Sequence, residues 1–179
     1  MQQVEIQFAG FGGQGILLMG NILTQAAMEE GYEVLWVPSY GPEMRGGTAY
    51  CTVIISDKLI GSPVVKNPTH LVAMNLPSLE KFKNSVKAGG VVLVNASMIP
   101  AMCDRDDVDE VRVPIVELAK EAGNVKTANI VALAAFVERT KVVKMESLVK
   151  VVKDKFAAKP AMLPLNINAL EAGQKAVMA

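Results

Sequence analysis

Hydrophobic and polar positions along the chain switch repeatedly between two periods. Val4 to Ala9 is a short apolar run that ends in glycines, the pattern of a buried strand. From Gln14 to Glu30 the apolar positions take helical spacing. Ile16, Gly20, Leu23 and Ala27 form one stripe and Leu18, Ile22 and Ala26 a second, which predicts a helix buried on more than one side. Gly31 stands where a C-terminal cap belongs, and Glu33 to Val37 reads as the next strand. Strand, glycine turn, helix and strand within about 35 residues make a βαβ unit.

The segment Pro38 to Gly47 is a loop broken by Gly41-Pro42 and Gly46-Gly47. Thr48 to Ser56 alternates as a strand does, and Thr69 to Met74 is a further strand. A helix is predicted from Pro77 to Lys87 and is closed by Gly89-Gly90. Val91 to Asn95 is another buried strand, and Asp109 to Pro114 a shorter one leading into a helix from Val116 to Glu121. Lys126 to Thr140 is apolar enough for a central helix. Met145, Leu148, Val149, Val152 and Phe156 keep helical spacing, with Lys150 and Lys153 facing out, and Leu165 to Val177 is a last helix. Without repeats, low-complexity tracts or linkers, the pattern describes one α/β domain.

Composition narrows the function. Of 179 residues, 51% are hydrophobic and 20% charged, with 18 Lys and Arg against 18 Asp and Glu. That balance gives no general pull toward nucleic acid or an anionic membrane. Mean hydropathy is +0.29, an apolar surplus that predicts burial of part of the exterior against partners. Charge is uneven locally: residues 104–121 hold seven acids against three bases, and residues 138–160 seven bases against three acids. The basic stretch reads either as a solvated helix face or as a docking face for an acidic partner such as ferredoxin. The N-terminus lacks the positive patch of a signal peptide, and the glycines and amides within the uncharged stretch 6–28 argue against a membrane span there, so the cytoplasm is the expected location. Cys51 and Cys103 are the two cysteines, and no CxxC occurs, which excludes a cysteine-ligated cluster or a zinc module of the usual spacing within this chain.

Two glycine-rich segments carry the candidate chemistry. Gly10-Phe11-Gly12-Gly13-Gln14-Gly15 matches GxGxxG between a strand and a helix, where glycines give a tight turn and close backbone approach and the helix N-terminus offers free N–H groups to a phosphate. The same segment also reads as a turn that binds nothing. A nicotinamide site would want an acid at the end of the second strand, where Val37-Pro38-Ser39 stands instead. The second segment is Ser39-Tyr40-Gly41-Pro42-Glu43-Met44-Arg45-Gly46-Gly47-Thr48-Ala49. In a parallel sheet the ends of the first two strands are expected side by side, so both loops would project from one carboxyl edge. Arg45 can there present a planar fork to a carboxylate or phosphate. The opposing reading is a surface turn with Glu43 and Arg45 merely solvated. His70 reads as a strand-end residue rather than a base, Cys51 as core and Cys103 as more exposed. Asn129 reads as a cap or a buried amide at the start of its helix.

Taken together, the two segments closely resemble the gamma subunit of 2-oxoacid:ferredoxin oxidoreductases. The likeness runs through nearly the whole chain, including Asn129-Ile-Val-Ala-Leu, and the second segment is its specific part. The second loop differs from that usual in indolepyruvate oxidoreductase small subunits, which favours enzymes of pyruvate, 2-oxoisovalerate or 2-oxoglutarate. The resemblance implies a Rossmann-like three-layer α/β/α sandwich with a mostly parallel or mixed sheet, one gamma-type domain over residues 1–179. It implies a complex that converts 2-oxoacid, coenzyme A and oxidised ferredoxin into acyl-CoA, carbon dioxide and reduced ferredoxin. Thiamine diphosphate, magnesium and iron–sulfur clusters would lie in alpha, beta and delta partner subunits, and ferredoxin would be met through the complex. This chain would hold no catalytic residue or metal, would be inactive alone, and would support assembly and coenzyme A access. Its cofactor-facing residues would be Gly10, Gly12, Gly13, Gln14, Gly15, Ser39, Tyr40, Met44, Arg45, Gly46 and Gly47. An autonomous dinucleotide-binding oxidoreductase and a purely structural adaptor are the alternatives.

Overall fold

In this computed structural model, residues 3–39 and 48–178 are described. The strand β1 (Val4–Phe11) is buried over Ile6–Gly10, as expected of a run flanked by strands on both edges and covered on both faces. It is followed by α1 (Ile16–Glu29), β2 (Glu33–Pro38), β3 (Thr48–Ser56) and β4 (His70–Ala73). Then come α2 (Leu76–Phe82), β5 (Val91–Asn95), β6 (Asp109–Val113) and α3 (Ile115–Glu121), with α4 (Ala128–Thr140), α5 (Met145–Phe156) and α6 (Leu163–Lys175) closing the chain. The helix predicted over 77–87 is interrupted: α2 ends at Phe82 and a 3-10 turn, Lys83–Ser85, follows. A second 3-10 turn, Val125–Thr127, leads into α4.

One six-stranded sheet runs in the order β2-β3-β1-β4-β5-β6. Strands β1, β4, β5 and β6 are parallel, and β3 is antiparallel to both of its neighbours, so the sheet is mixed. The expectation that β1 and β2 end side by side is therefore wrong, because β3 lies between them. Eight of the nine residues of β3 pair with β1 along its whole length, from Val4 opposite Ile55 to Phe11 opposite Thr48. The shorter β2, partly exposed and ending in Pro38, takes the edge, where a missing N–H and open backbone are tolerated.

The two faces are covered unequally. On one face α1, α3, α4, α5 and α6 build the main core, in which Phe8 and Phe136 meet edge to face at 5.9 Å. Within that layer α4 is buried at every residue from Asn129 to Val137, which explains its apolar character all round. On the other face a smaller cluster of Ala9, Leu71, Ala73, Leu79, Val92, Val94 and Ile99 lies under α2. Cys103 belongs to that cluster and is fully buried, contrary to the exposure its charged neighbours suggested. Those neighbours hold the segment down: the Arg105 guanidinium donates to the Lys83 and Val86 carbonyls, each at 2.7 Å, and the Cys103 N–H donates to Glu110 at 3.0 Å. No helix among the described residues is long and apolar enough to cross a membrane.

Candidate site at the carboxyl edge

At the carboxyl end of β1 the chain turns through Gly12 and Gly13, both exposed, into α1. Gln14 locks this turn: its Oε1 accepts the Phe11 N–H at 2.7 Å, and its own N–H donates to the Phe11 carbonyl at 3.2 Å. Space is tight around the motif. A Cβ on Gly10 would lie 2.6 Å from Gln14 Oε1 and 2.9 Å from Met74 Cβ. Gly15 has φ +73°, and a Cβ there would lie 2.5 Å from Asn129 Nδ2. The third glycine of the motif thus admits the start of α4, not the neighbouring strand that the motif's usual geometry suggests. Asn129 is buried, with its Nδ2 3.5 Å from the Gly15 carbonyl, which agrees with the buried-amide reading.

The first turn of α1 has no side-chain cap and no acidic residue. Its leading N–H groups and the positive end of the helix dipole are therefore presented at this edge beside the exposed glycines, a chemistry suited to an anion.

The second segment reaches the same edge by a different route from the one expected. Thr48 lies opposite Phe11 and Pro38 opposite Cys51, so β2 leads into the loop and β3 leaves it beside the glycine turn. The Ser39 N–H donates to the Tyr50 carbonyl at 2.9 Å and extends this pairing. Tyr40, Met44, Arg45, Gly46 and Gly47 lie outside the described residues.

A cavity of about 360 Å³ opens between the glycine turn, the ends of β4 and β5, and the start of α4. Gln14, Met74, Asn95, Met98, Val125 and Asn129 are among its lining residues. It sits where the chain leaves β1 toward β2 on one side while β4, β5 and β6 lie on the other, the crevice where open α/β sheets receive ligands. Asn95 is fully buried; its Nδ2 donates to the Met74 carbonyl at 3.2 Å, and its Oδ1 accepts no hydrogen bond. The sequence reading passed over this residue. The available signal was an amide ending the otherwise apolar run Val91-Val-Leu-Val, at the carboxyl end of a parallel strand.

The other singled-out residues stand apart from this edge. His70 begins β4 at the opposite edge, where its Nδ1 accepts the Val91 N–H at 2.9 Å, and burial lowers its pKa to about 4. It is a strand-end residue, as expected. Cys51 is core, and burial raises its pKa to about 12 despite the adjacent Trp36 indole. Among the described residues no group of three or more His, Cys, Asp or Glu could hold a metal ion.

Comparison with known proteins bears on the family and the fold. Residues 5–176 match the family described as pyruvate ferredoxin/flavodoxin oxidoreductase. The ketoisovalerate oxidoreductase subunit VorA of Methanothermobacter thermautotrophicus is 41% identical over 172 residues, covering 96% of this chain and 36% of the relative. The chain therefore spans about a third of that protein's length. The 2-oxoglutarate synthase subunit KorC of Methanothermobacter marburgensis is 36% identical over 181 residues, covering 97% of this chain and 96% of its own. Among solved structures, the gamma subunit of a keto/oxoacid ferredoxin oxidoreductase from Geobacter sulfurreducens superposes with a TM-score of 0.85 at 33% identity, over 98% of both chains. The 2-oxoglutarate:ferredoxin oxidoreductase from Magnetococcus marinus, solved with 2-oxoglutarate, coenzyme A and succinyl-CoA bound, gives a TM-score of 0.89 at 25% identity, over 99% of this chain and 31% of the other.

Proposed function

Since the chain belongs to the pyruvate ferredoxin/flavodoxin oxidoreductase family, we propose that it acts as the gamma-type subunit of a 2-oxoacid:ferredoxin oxidoreductase in the cytoplasm. One observation carries the reading above the others: the end-to-end correspondence with the Geobacter gamma subunit, 98% of each chain. In this reading the complex oxidatively decarboxylates a 2-oxoacid, passes the acyl group to coenzyme A and delivers electrons to ferredoxin. Alpha-, beta- and delta-type subunits are its partners.

The residues of this chain do not fit the redox or thiamine groups of that reaction. Its two cysteines are both buried and lie in different core clusters, and no carboxylate or imidazole cluster gathers among the described residues. Thiamine diphosphate, magnesium and the iron–sulfur clusters are assigned to the partners. The contribution left to this chain is an anion-binding edge. The α1 N-terminus with Gly12, Gly13 and Gly15, and Arg45 on the loop between β2 and β3, would hold the phosphates of coenzyme A. Gln14 would act through the turn it locks, keeping the donors fixed before the ligand arrives.

Kinetics of the assembled complex test this assignment. Arg45→Ala is expected to raise the KM for coenzyme A about ten- to a hundredfold, the value of one charge-assisted hydrogen bond, with the KM for the 2-oxoacid little changed. Gel filtration alongside distinguishes the rival role. A complex that falls apart means that Arg45 pairs with a neighbouring subunit, and an intact complex with unchanged KM means that it does not touch coenzyme A.

A further inference from the structure

The sheet ends in β6 on one side and β2 on the other, and the two edges are unlike. Strand β6 carries Asp109, Glu110 and Arg112, with Arg112 paired to Glu110 at 3.0 Å and Asp109 to Arg139 at 2.6 Å. Charges along an edge discourage another strand from adding to it. Strand β2 reads Glu33-Val-Leu-Trp-Val-Pro38, one charge at its start and an apolar run behind it. It is the edge without that protection.

Register decides which backbone groups of β2 are free. Ser39, next in register after Pro38 opposite Cys51, donates to the Tyr50 carbonyl, so Glu33, Leu35 and Val37 are the residues that bond to β3. Val34 and Trp36 turn their N–H and C=O groups outward, and among the described residues no strand pairs with them. Their side chains pack on the main core, with Trp36 beside Gly20 of α1, which anchors the strand. Leu35 and Val37 take the opposite face and belong to neither core cluster; Val37 is 36% exposed.

A second copy of the same strand matches these groups. Two β2 strands run antiparallel about a two-fold axis at Leu35, with Val34 of each copy opposite Trp36 of the other. Each residue then donates its N–H to its counterpart and accepts one in return. Leu35 meets Leu35 of the second copy, and Val37 faces Glu33, so no like charges are opposed. Pro38 falls opposite Tyr32, where the ladder stops: Pro38 has no N–H, and the Tyr32 N–H is already given to the Ala27 carbonyl. The helix that packs over β2, α1, is uncharged from Ile16 to Met28, so the layer carried alongside adds no repulsion. Closure also favours this occupant. Pairing β2 with itself consumes the open edge of both copies, whereas pairing β2 with β6 would leave a new edge on each copy and build a filament.

We infer that β2 is a homodimerisation edge, at which a second copy of this chain extends the sheet across a two-fold axis at Leu35. This goes beyond the subunit reading and does not depend on it. Sedimentation of the full chain alone should show a dimer. L35K and L35E, at a position outside both core clusters, each set like charges face to face. Each is expected to weaken the dimer about tenfold or more while leaving the circular dichroism spectrum unchanged. An equimolar mixture of the two variants should recover the dimer, because opposite charges then meet across the axis. Leu35→Cys should form an intermolecular disulfide on mild oxidation, since that pairing sets the Cα atoms about 4.5 Å apart. Val37→Cys, which faces Glu33, should crosslink far less, and the two natural cysteines are buried. A monomeric wild type overturns the inference, as the edge is then left to other chains. A dimer indifferent to both charge variants, or a mixture that stays monomeric, overturns it equally. If the charge variants misfold, the cysteine pair decides, and crosslinking no better at position 35 than at position 37 contradicts the two-fold register.

Discussion

His70 shows how one residue ties the sheet to pH. It is neutral in the fold because burial disfavours its charged form, lowering its pKa from the ordinary 6.5 to about 4, and its Nδ1 must stay unprotonated to accept the Val91 N–H. Between those two values the unfolded chain binds the proton and the native chain does not. The contribution is therefore fully present above pH 6.5 and is lost as pH falls toward 4. From pH 7.5 to pH 5 it amounts to about 2 kcal/mol. Denaturant unfolding at the two pH values should show His70→Asn losing less stability on acidification than wild type by about that amount. Equal losses in the two proteins would mean that His70 is not the titrating group. Its sequence context, a lone histidine after Asn67-Pro68-Thr69, made a strand-end residue legible. The backbone partner was not, because Val91 is brought to it only by the pairing of β4 and β5.

Elements follow the same division between local and nonlocal information. The alternation of β3, the apolar run of β5 and the helical spacing of α5 were readable because each is set by its own residues and the period of its backbone. The insertion of β3 between β1 and β2 was not, since no local pattern states which strand a strand will pair with. Cys103 was misjudged for a related reason: Asp104 and Arg105 look like surface neighbours until the arginine is seen bonded to backbone carbonyls of another segment. At the site, the glycine motif was legible and its placement correct, but Asn95 and the approach of α4 to Gly15 depend on tertiary packing. That approach is testable by two substitutions. At Gly13, φ is +92° and a Cβ would have nothing within 4 Å, so Gly13→Ala should cost only the backbone strain, about 1 kcal/mol. At Gly15 the same strain is joined by the collision with Asn129, so Gly15→Ala should cost about 2–4 kcal/mol. Thermal unfolding should place the Gly15 variant several degrees below the Gly13 variant, at about 2–4 °C per kcal/mol. Equal melting temperatures would contradict the docking of α4 on the glycine turn.

For the whole molecule, the apolar surplus divides into two uses. Much of it goes into α4, enclosed between the sheet and the other helices, so a high mean hydropathy does not by itself require a large external interface. The remainder stands exposed as isolated residues, as Phe11 at the end of β1, and as Met98 and Val125 on the crevice. That edge brings together the uncapped start of α1, the anchors of the Arg45 loop and the orphaned Asn95. The main core, by contrast, lies under the helix layer and carries no such chemistry. In the proposed role this edge would serve as a prepared surface for a reaction whose redox groups are held by the partner subunits. The most direct measurement is 2-oxoacid- and coenzyme A-dependent reduction of ferredoxin by the reconstituted partner subunits, assayed with this chain, without it, and by this chain alone. Turnover that requires both the partners and this chain is the predicted result. Reduction by the isolated chain, or equal turnover by the partners without it, would contradict its assignment as a working gamma subunit.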